Sequence, residues 1–289
     1  MLDGAAKIND YLDRVKELNQ PGAAITDHGN LYGALEFYHS ALKKKLIPII
    51  GYEAYVINDS RFDRPDRENN KRYHLTLLAE NTVGYWNLVK MASKAFTEGY
   101  YYKPRVDYEL LKDHSEGIIA LSGCLGGEIS QFLAPDGSVE EGNQEGERSF
   151  TKALEKARFY QSIFGENNFF IELHNHGIQQ QKIILPDLLK ISQEVGAPLV
   201  ATNDSHYVNE DDASAHDALL CVQTNATLDD NTRFKFDGSG YYVKSSEEMR
   251  KLFPEEKFPK ACDNTVELSL IHISEPTRQE AISYAVFCL

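Results

Sequence analysis

"AITDHGN", Ala24 to Asn30, runs a short apolar stretch straight into Asp27, His28 and a glycine. The same design recurs along the chain. "PIIGY" leads to Glu53, "IIALSG" to Cys124, "FFIEL" to His174 and His176, and "PLVATN" to Asp204 and His206. The runs are "GAAIT" 22–26, "LIPIIGYEAYV" 46–56, "HLTLLA" 74–79, "GIIALS" 117–122, "NFFIEL" 168–173 and "APLVAT" 197–202. They are short, continuous and apolar, as strands are when both faces are covered in a parallel sheet. Segments 31–45, 81–97, 147–164 and 178–195 between them have helical spacing and length. A repeated strand-helix pattern of this size predicts a barrel or a doubly wound sheet. Potential ligands at the C-terminal ends of successive parallel strands converge on one rim, where barrels keep their chemistry. His74 is the exception, because it begins its run.

Composition sets the outer bounds. With 289 residues, 42% hydrophobic and 11% aromatic, the chain is long enough to bury a substantial core. Its net charge of -14 gives no overall electrostatic footprint for tracking a phosphate backbone. Bound cations supply positive charge locally, so phosphoester chemistry stays open. The four cysteines form no C-x-x-C pair, and neither a signal peptide nor a long apolar span is visible. The expected setting is the reducing cytoplasm, with no membrane partner. Polar segments 58–74 and 134–147 read as loops.

Imidazole, carboxylate and thiolate together suit Zn²⁺ or Mn²⁺ better than Mg²⁺. Such ions polarise a phosphoryl oxygen and lower the pKa of a water, which predicts metal-assisted phosphoester hydrolysis. Each residue also has a plainer reading. Asp27-His28 fits a turn or helix cap, Glu53 an exposed position on an alternating strand, and Cys124 a small buried hydrophobe. His206 also fits a hydrogen bond to a backbone carbonyl. For His174 and His176 the ligand and the polar-turn readings are balanced, and His39, His114 and His216 read as structural.

Seven separated blocks then carry a resemblance. "LDGAAKI" 2–8, "AITDHGNLYGALEFY" 24–38, "PIIGYEAYV" 48–56, "HLTLLAENTVGYWNL" 74–88, "EGYYYKPRVD" 98–107, "SGCLGGEI" 122–129 and "VATNDSHYV" 200–208 occur in the order found in one family. Together they resemble the PHP (polymerase and histidinol phosphatase) domain at the N-terminus of bacterial DNA polymerase III alpha subunits. The resemblance runs from the first residues to about Glu267. It implies an α/β fold, a distorted (β/α)7 TIM-like barrel, with up to three divalent metals at one mouth. The implied ligands are Asp3, His28, Glu53, His74, Cys124, Asp204 and His206, with Asp27 behind His28 as its orienting partner. It further implies partners: downstream polymerase domains of the same protein, DNA, and other replicase subunits including a proofreading exonuclease subunit. Family members carry a His-x-His strand ahead of the "LDG" block, so the first barrel strand and two histidine ligands are expected to be missing here.

The other end departs differently. "LSLIHISEPTR" 268–278 resembles a translated transposase adapter from sequencing libraries, and "ISYAVFCL" 282–289 the adjoining flow-cell adapter. The expected organisation is therefore a PHP domain over 1–267 and non-native read-through over 268–289, with His272 and Cys288 set aside. Three functions compete: a polymerase fragment with metal-dependent 3′–5′ exonuclease or related activity, a metal-stapled structural and docking module, and a stand-alone PHP phosphatase.

Overall fold

The computed structural model describes residues 4–66, 69–134 and 148–274. The first helix, α1 (Ile8–Glu17), precedes β1 (Gly22–Ile25), α2 (Ala34–Lys44), β2 (Ile47–Ile57), β3 (Tyr73–Ala79) and α3 (Thr82–Thr97). Next come β4 (Arg105–Asp107), α4 (Tyr108–Asp113), β5 (Ile118–Leu121), α5 (Glu128–Leu133) and α6 (Phe150–Phe164). The remainder is β6 (Phe169–Leu173), α7 (Gln179–Val195), β7 (Leu199–Ala201), α8 (Ala213–Thr224), α9 (Ser246–Leu252) and α10 (Ala261–Ser274). The strands form one seven-stranded sheet in the order β1-β2-β3-β5-β6-β7, with β4 also paired to β2. It is a curled α/β half-barrel of the distorted TIM-like kind.

The sheet is mixed, which corrects the expectation of parallel strands throughout. β1 and β2, β5 and β6, and β6 and β7 are parallel, but β3 is antiparallel to both β2 and β5. A parallel return needs a crossover, usually a helix, and the described part of the 58–72 connection holds no α-helix. The reversal explains His74. A strand running the other way presents its first residues where its neighbours present their last, so His74 reaches the common rim.

Two apolar layers hold the sheet. One faces the helices and includes Phe37, Tyr52, Leu77, Leu88, Phe169 and Ile171. The other joins Ile49, Leu78, Ile119, Leu121, Phe170 and Val200 from five strands with Leu268 of α10. Alternation along β2, β3 and β5 supplies both layers from the same strands. Helix α10 also covers the outer edge of β7. Asn264 Nδ2 donates to Leu199 O at 2.7 Å and Thr265 Oγ1 to Ala201 O at 2.9 Å, so side chains satisfy carbonyls that no strand among the described residues takes up. This helix crosses residue 268, and residues 275–289 lie outside the described residues.

Candidate metal centre

β1 and β4 share one edge of β2, pairing with Gly22–Ile25 against Ile47–Ile50 and Arg105–Asp107 against Tyr55–Ile57. The turn Asp27–Gly29 fills the gap between them. Glu53 N donates to Asp27 O at 3.2 Å and Gly29 N to Glu53 O at 2.9 Å, so the backbone brackets Glu53. Gly29 has φ +67°, and a Cβ there would lie 2.7 Å from Pro104 Cγ and 3.0 Å from Tyr55 Cε2. Only glycine fits this turn without displacement.

The result is a carboxylate between two imidazoles. His28 Nδ1 lies 3.0 Å from Glu53 Oε2, and His74 Nδ1 lies 2.8 Å from Glu53 Oε1. Ligand atoms of the three residues fall within 4.8 Å of one another. Burial opposes the charge on Glu53, but the two imidazoles beside it hold its carboxyl well below the usual range. The Glu53 side chain is 11% exposed, against the plainer reading of a solvent-facing strand position.

Cys124 approaches the same ring nitrogen of His74 that meets Glu53. Its Sγ is 3.5 Å from His74 Nδ1 and accepts from Gly126 N at 3.3 Å. The "SGCLGG" turn is pinned to β3 by His74 N donating to Gly126 O at 2.9 Å. Gly123, at φ +86°, allows the approach, since a Cβ there would meet His74 O at 2.5 Å. Asp204 and His206 stand together further round the rim, with Asp204 Oδ1 3.6 Å from His206 Nδ1 and a 3.2 Å contact from Nδ1 to Asp204 O. The latter is the carbonyl contact that the plainer reading anticipated. His206 O accepts from Ala5 N and Ala6 N at 2.7 and 3.0 Å, which ties the N-terminal segment to the same rim. Asp3 lies outside the described residues. Asp27 Oδ2 accepts from Gly33 N at 3.2 Å, so its hydrogen bond serves the start of α2 and its influence on His28 is electrostatic.

Sequence reasoning passed over Glu172, which links the two groups. Glu172, buried in β6, accepts from Thr76 Oγ1 at 3.2 Å, Gly123 N at 3.0 Å and Thr202 Oγ1 at 2.6 Å. One carboxylate thus ties β3, the Cys124 turn and the end of β7 together. His174 Nε2 lies 3.2 Å from Glu172 Oε1, outside hydrogen-bond geometry, and among the described residues neither ring nitrogen of His174 has a hydrogen-bond partner. Burial works against its charge, but the Glu172 and Asp204 carboxylates outweigh it and hold the imidazole up at about 9. His176 stacks on Tyr241 at 4.3 Å between ring centres, and Tyr241 meets His206 edge-on at 5.6 Å. The signal for these residues was "ELHNHG" itself. The structure buries both histidines rather than leaving them in an exposed turn.

Two imidazoles, a carboxylate and a thiol at one mouth, with a second carboxylate-imidazole pair beside them, form a donor set suited to borderline divalent ions. The family model of the PHP domain matches residues 1–176. The DNA polymerase III alpha subunit of Thermus aquaticus is 47% identical over 276 residues, covering 93% of this chain and 21% of that protein. Those of Deinococcus radiodurans and Borreliella burgdorferi are 44% and 42% identical over 278 and 270 residues, covering 93% of this chain and 20% and 22% of theirs. The chain therefore spans about a fifth of the length of the curated relatives it matches. From the fold, the rim and the match over residues 1–176, the chain belongs to the PHP-domain family.

Proposed function

We propose that this chain is the PHP-domain portion of a DNA polymerase III alpha subunit and that its rim hydrolyses phosphodiesters, acting on a DNA strand as a 3′–5′ exonuclease. The observation that carries the reading is Glu53 held between His28 and His74, with Cys124 against His74. His28, Glu53, His74 and Cys124 hold divalent metal on one side, and Asp204 and His206 extend the set on the other. Asp3 belongs to the set by family resemblance. Zn²⁺ or Mn²⁺ suits these donors, and when bound such ions polarise a phosphoryl oxygen and activate water. They also supply the positive charge that a chain of net charge -14 lacks. Nucleotidyl transfer falls to downstream domains of the same polypeptide. DNA, a proofreading exonuclease subunit and other replicase subunits are the expected partners, in the cytoplasm. No helix among the described residues is long and apolar enough to cross a membrane. Residues 268–289 are read as non-native.

The test uses the chain loaded with Zn²⁺ or Mn²⁺ on 3′-labelled single-stranded DNA and, in parallel, on a small phosphate monoester. Release of 3′ nucleotides that disappears in His28→Ala and Glu53→Gln supports the reading. Hydrolysis of the monoester alone would favour a stand-alone phosphatase. A second reading also has an observation behind it, because His28, Glu53 and His74 come from the β1 turn, β2 and β3 and a shared metal would staple them. Variants that lower the melting temperature in a wild type without hydrolytic activity would favour that structural module.

A further inference from the structure

The two ring nitrogens of His176 have different fates. The His176 backbone N–H donates to Gln181 Oε1 at 2.7 Å, which commits the oxygen end of that amide. The nitrogen end of Gln181 carries only hydrogens, so its 2.9 Å contact with His176 Nδ1 makes Nδ1 the acceptor. A neutral imidazole whose Nδ1 accepts carries its proton on Nε2. That Nε2 is buried, has no hydrogen-bond partner among the described residues, and belongs to a residue only 3% exposed.

The ring is not free to turn away. It lies flat on Tyr241, with 10° between the planes, and its backbone is packed by Gly240, where a Cβ would stand 2.7 Å from His176 Cα. A buried donor left unpaired costs about 1–3 kcal/mol, a cost removed when an acceptor binds beside it. A nitrogen bearing a proton offers no lone pair, which excludes metal ligation through Nε2 in this tautomer. Among the described residues none supplies an acceptor to this nitrogen. Glu172 accepts from Thr76, Gly123 and Thr202 and does not reach this nitrogen, while His174, edge-on at 5.2 Å, is another imidazole. Across Tyr241 stands His206.

We propose that His176 Nε2–H donates a hydrogen bond to a phosphoryl oxygen of the substrate, and that Gln181 is the positioning residue that fixes the donor tautomer. This rests on the phosphoesterase reading and names a substrate contact for the same rim.

The full 289-residue chain, loaded with Zn²⁺, is titrated with inorganic phosphate while its histidine side chains are followed by long-range ¹H–¹⁵N NMR. The expected spectrum has His176 unprotonated at Nδ1 and protonated at Nε2, with the Nε2–H signal shifting as phosphate binds. His176→Phe keeps a ring on Tyr241 but removes the donor, and should weaken phosphate binding by roughly 10-fold or more with Zn²⁺ stoichiometry unchanged. His176→Gln should restore part of the affinity through its amide N–H. Loss of Zn²⁺ in His176→Phe, or unchanged phosphate affinity, would overturn the proposal. If His176→Phe does not fold, the wild-type signal decides, and an Nε2–H resonance unmoved by phosphate overturns it. A chain without nuclease activity whose Nε2–H still responds to phosphate counts against hydrolysis and supports the donor.

Discussion

Glu53 and His74 meet at 2.8 Å across two antiparallel strands, although their strict register partners are Thr76 and Tyr55. The contact is diagonal, and it works because both side chains turn toward the mouth that the β1 turn closes from the other side. Removing the Glu53 charge leaves His28 and His74 without the acceptor they share. Glu53→Gln is therefore expected to lower Zn²⁺ affinity by more than about 100-fold, the upper range for losing even an outer-shell partner, in a chelator competition titration. Equal affinity in the variant would remove Glu53 from the ligand set.

Gly29 should be harder to replace than a glycine at positive φ in open space. Alanine at Gly196, also at positive φ but with nothing within 4 Å, pays only the left-handed backbone cost, about 1–2 kcal/mol. Alanine at Gly29 pays that and must also push Pro104 and Tyr55 aside. Urea denaturation of both variants should show Gly29→Ala as the more destabilised. It alone should also lose Zn²⁺ affinity, because the turn it distorts carries His28.

How much of this was legible in the chain depends on range. The strand runs and helical segments were readable because burial on both faces leaves a local apolar signature, and the ends of those runs located His28, Cys124, Asp204 and His206. The direction of β3 was not readable, since "HLTLLA" carries the same pattern either way and only the 58–72 connection decides it. β4, at three residues, is too short to show a period. The roles of His174 and His176 depend on Glu172 from the strand and on Gln181 at the start of α7, partners that a balanced reading of "HNHG" does not reveal.

Acidity should act on the metal-free chain through His174. Its folded pKa of about 9 lies above the ordinary 6.5, so the protonated form is favoured by folding. That contribution is full below pH 6.5 and is lost as pH rises through about 9, an effect of up to about 3 kcal/mol. Denaturant midpoints measured from pH 6 to 10 should fall more steeply in the wild type than in His174→Gln. Parallel curves would show that His174 is already neutral.

The outer edge of β7 that α10 covers offers a separate test. Asn264→Ala withdraws the donor from Leu199 O and is expected to cost about 1–3 kcal/mol if that carbonyl stays buried and unpaired. Thr265→Val withdraws the second donor from Ala201 O at nearly constant volume. The two changes serve one edge, so a double variant should be less than additive if α10 lifts away as a unit. Full additivity in thermal denaturation would mean that each carbonyl is satisfied independently.

Cys124 gives a chemical readout of the centre without any substrate. The thiolate is the form that both binds metal and reacts with alkylating agents, so a bound ion competes directly with the reagent. Cys124 Sγ already stands 3.5 Å from His74 Nδ1 and accepts from Gly126 N, a position from which it can enter the same coordination set. Iodoacetamide labelling followed by peptide mass mapping should show Zn²⁺ slowing alkylation at Cys124. Cys262, whose thiol is half-buried and pushed up by that burial, serves as the internal reference and should react at the same rate with or without the ion. The protection should vanish in Glu53→Gln, because an ion that the carboxylate no longer holds cannot shield the sulfur. Protection that survives in this variant would place the Cys124 ion in a site separate from the one formed by His28, Glu53 and His74.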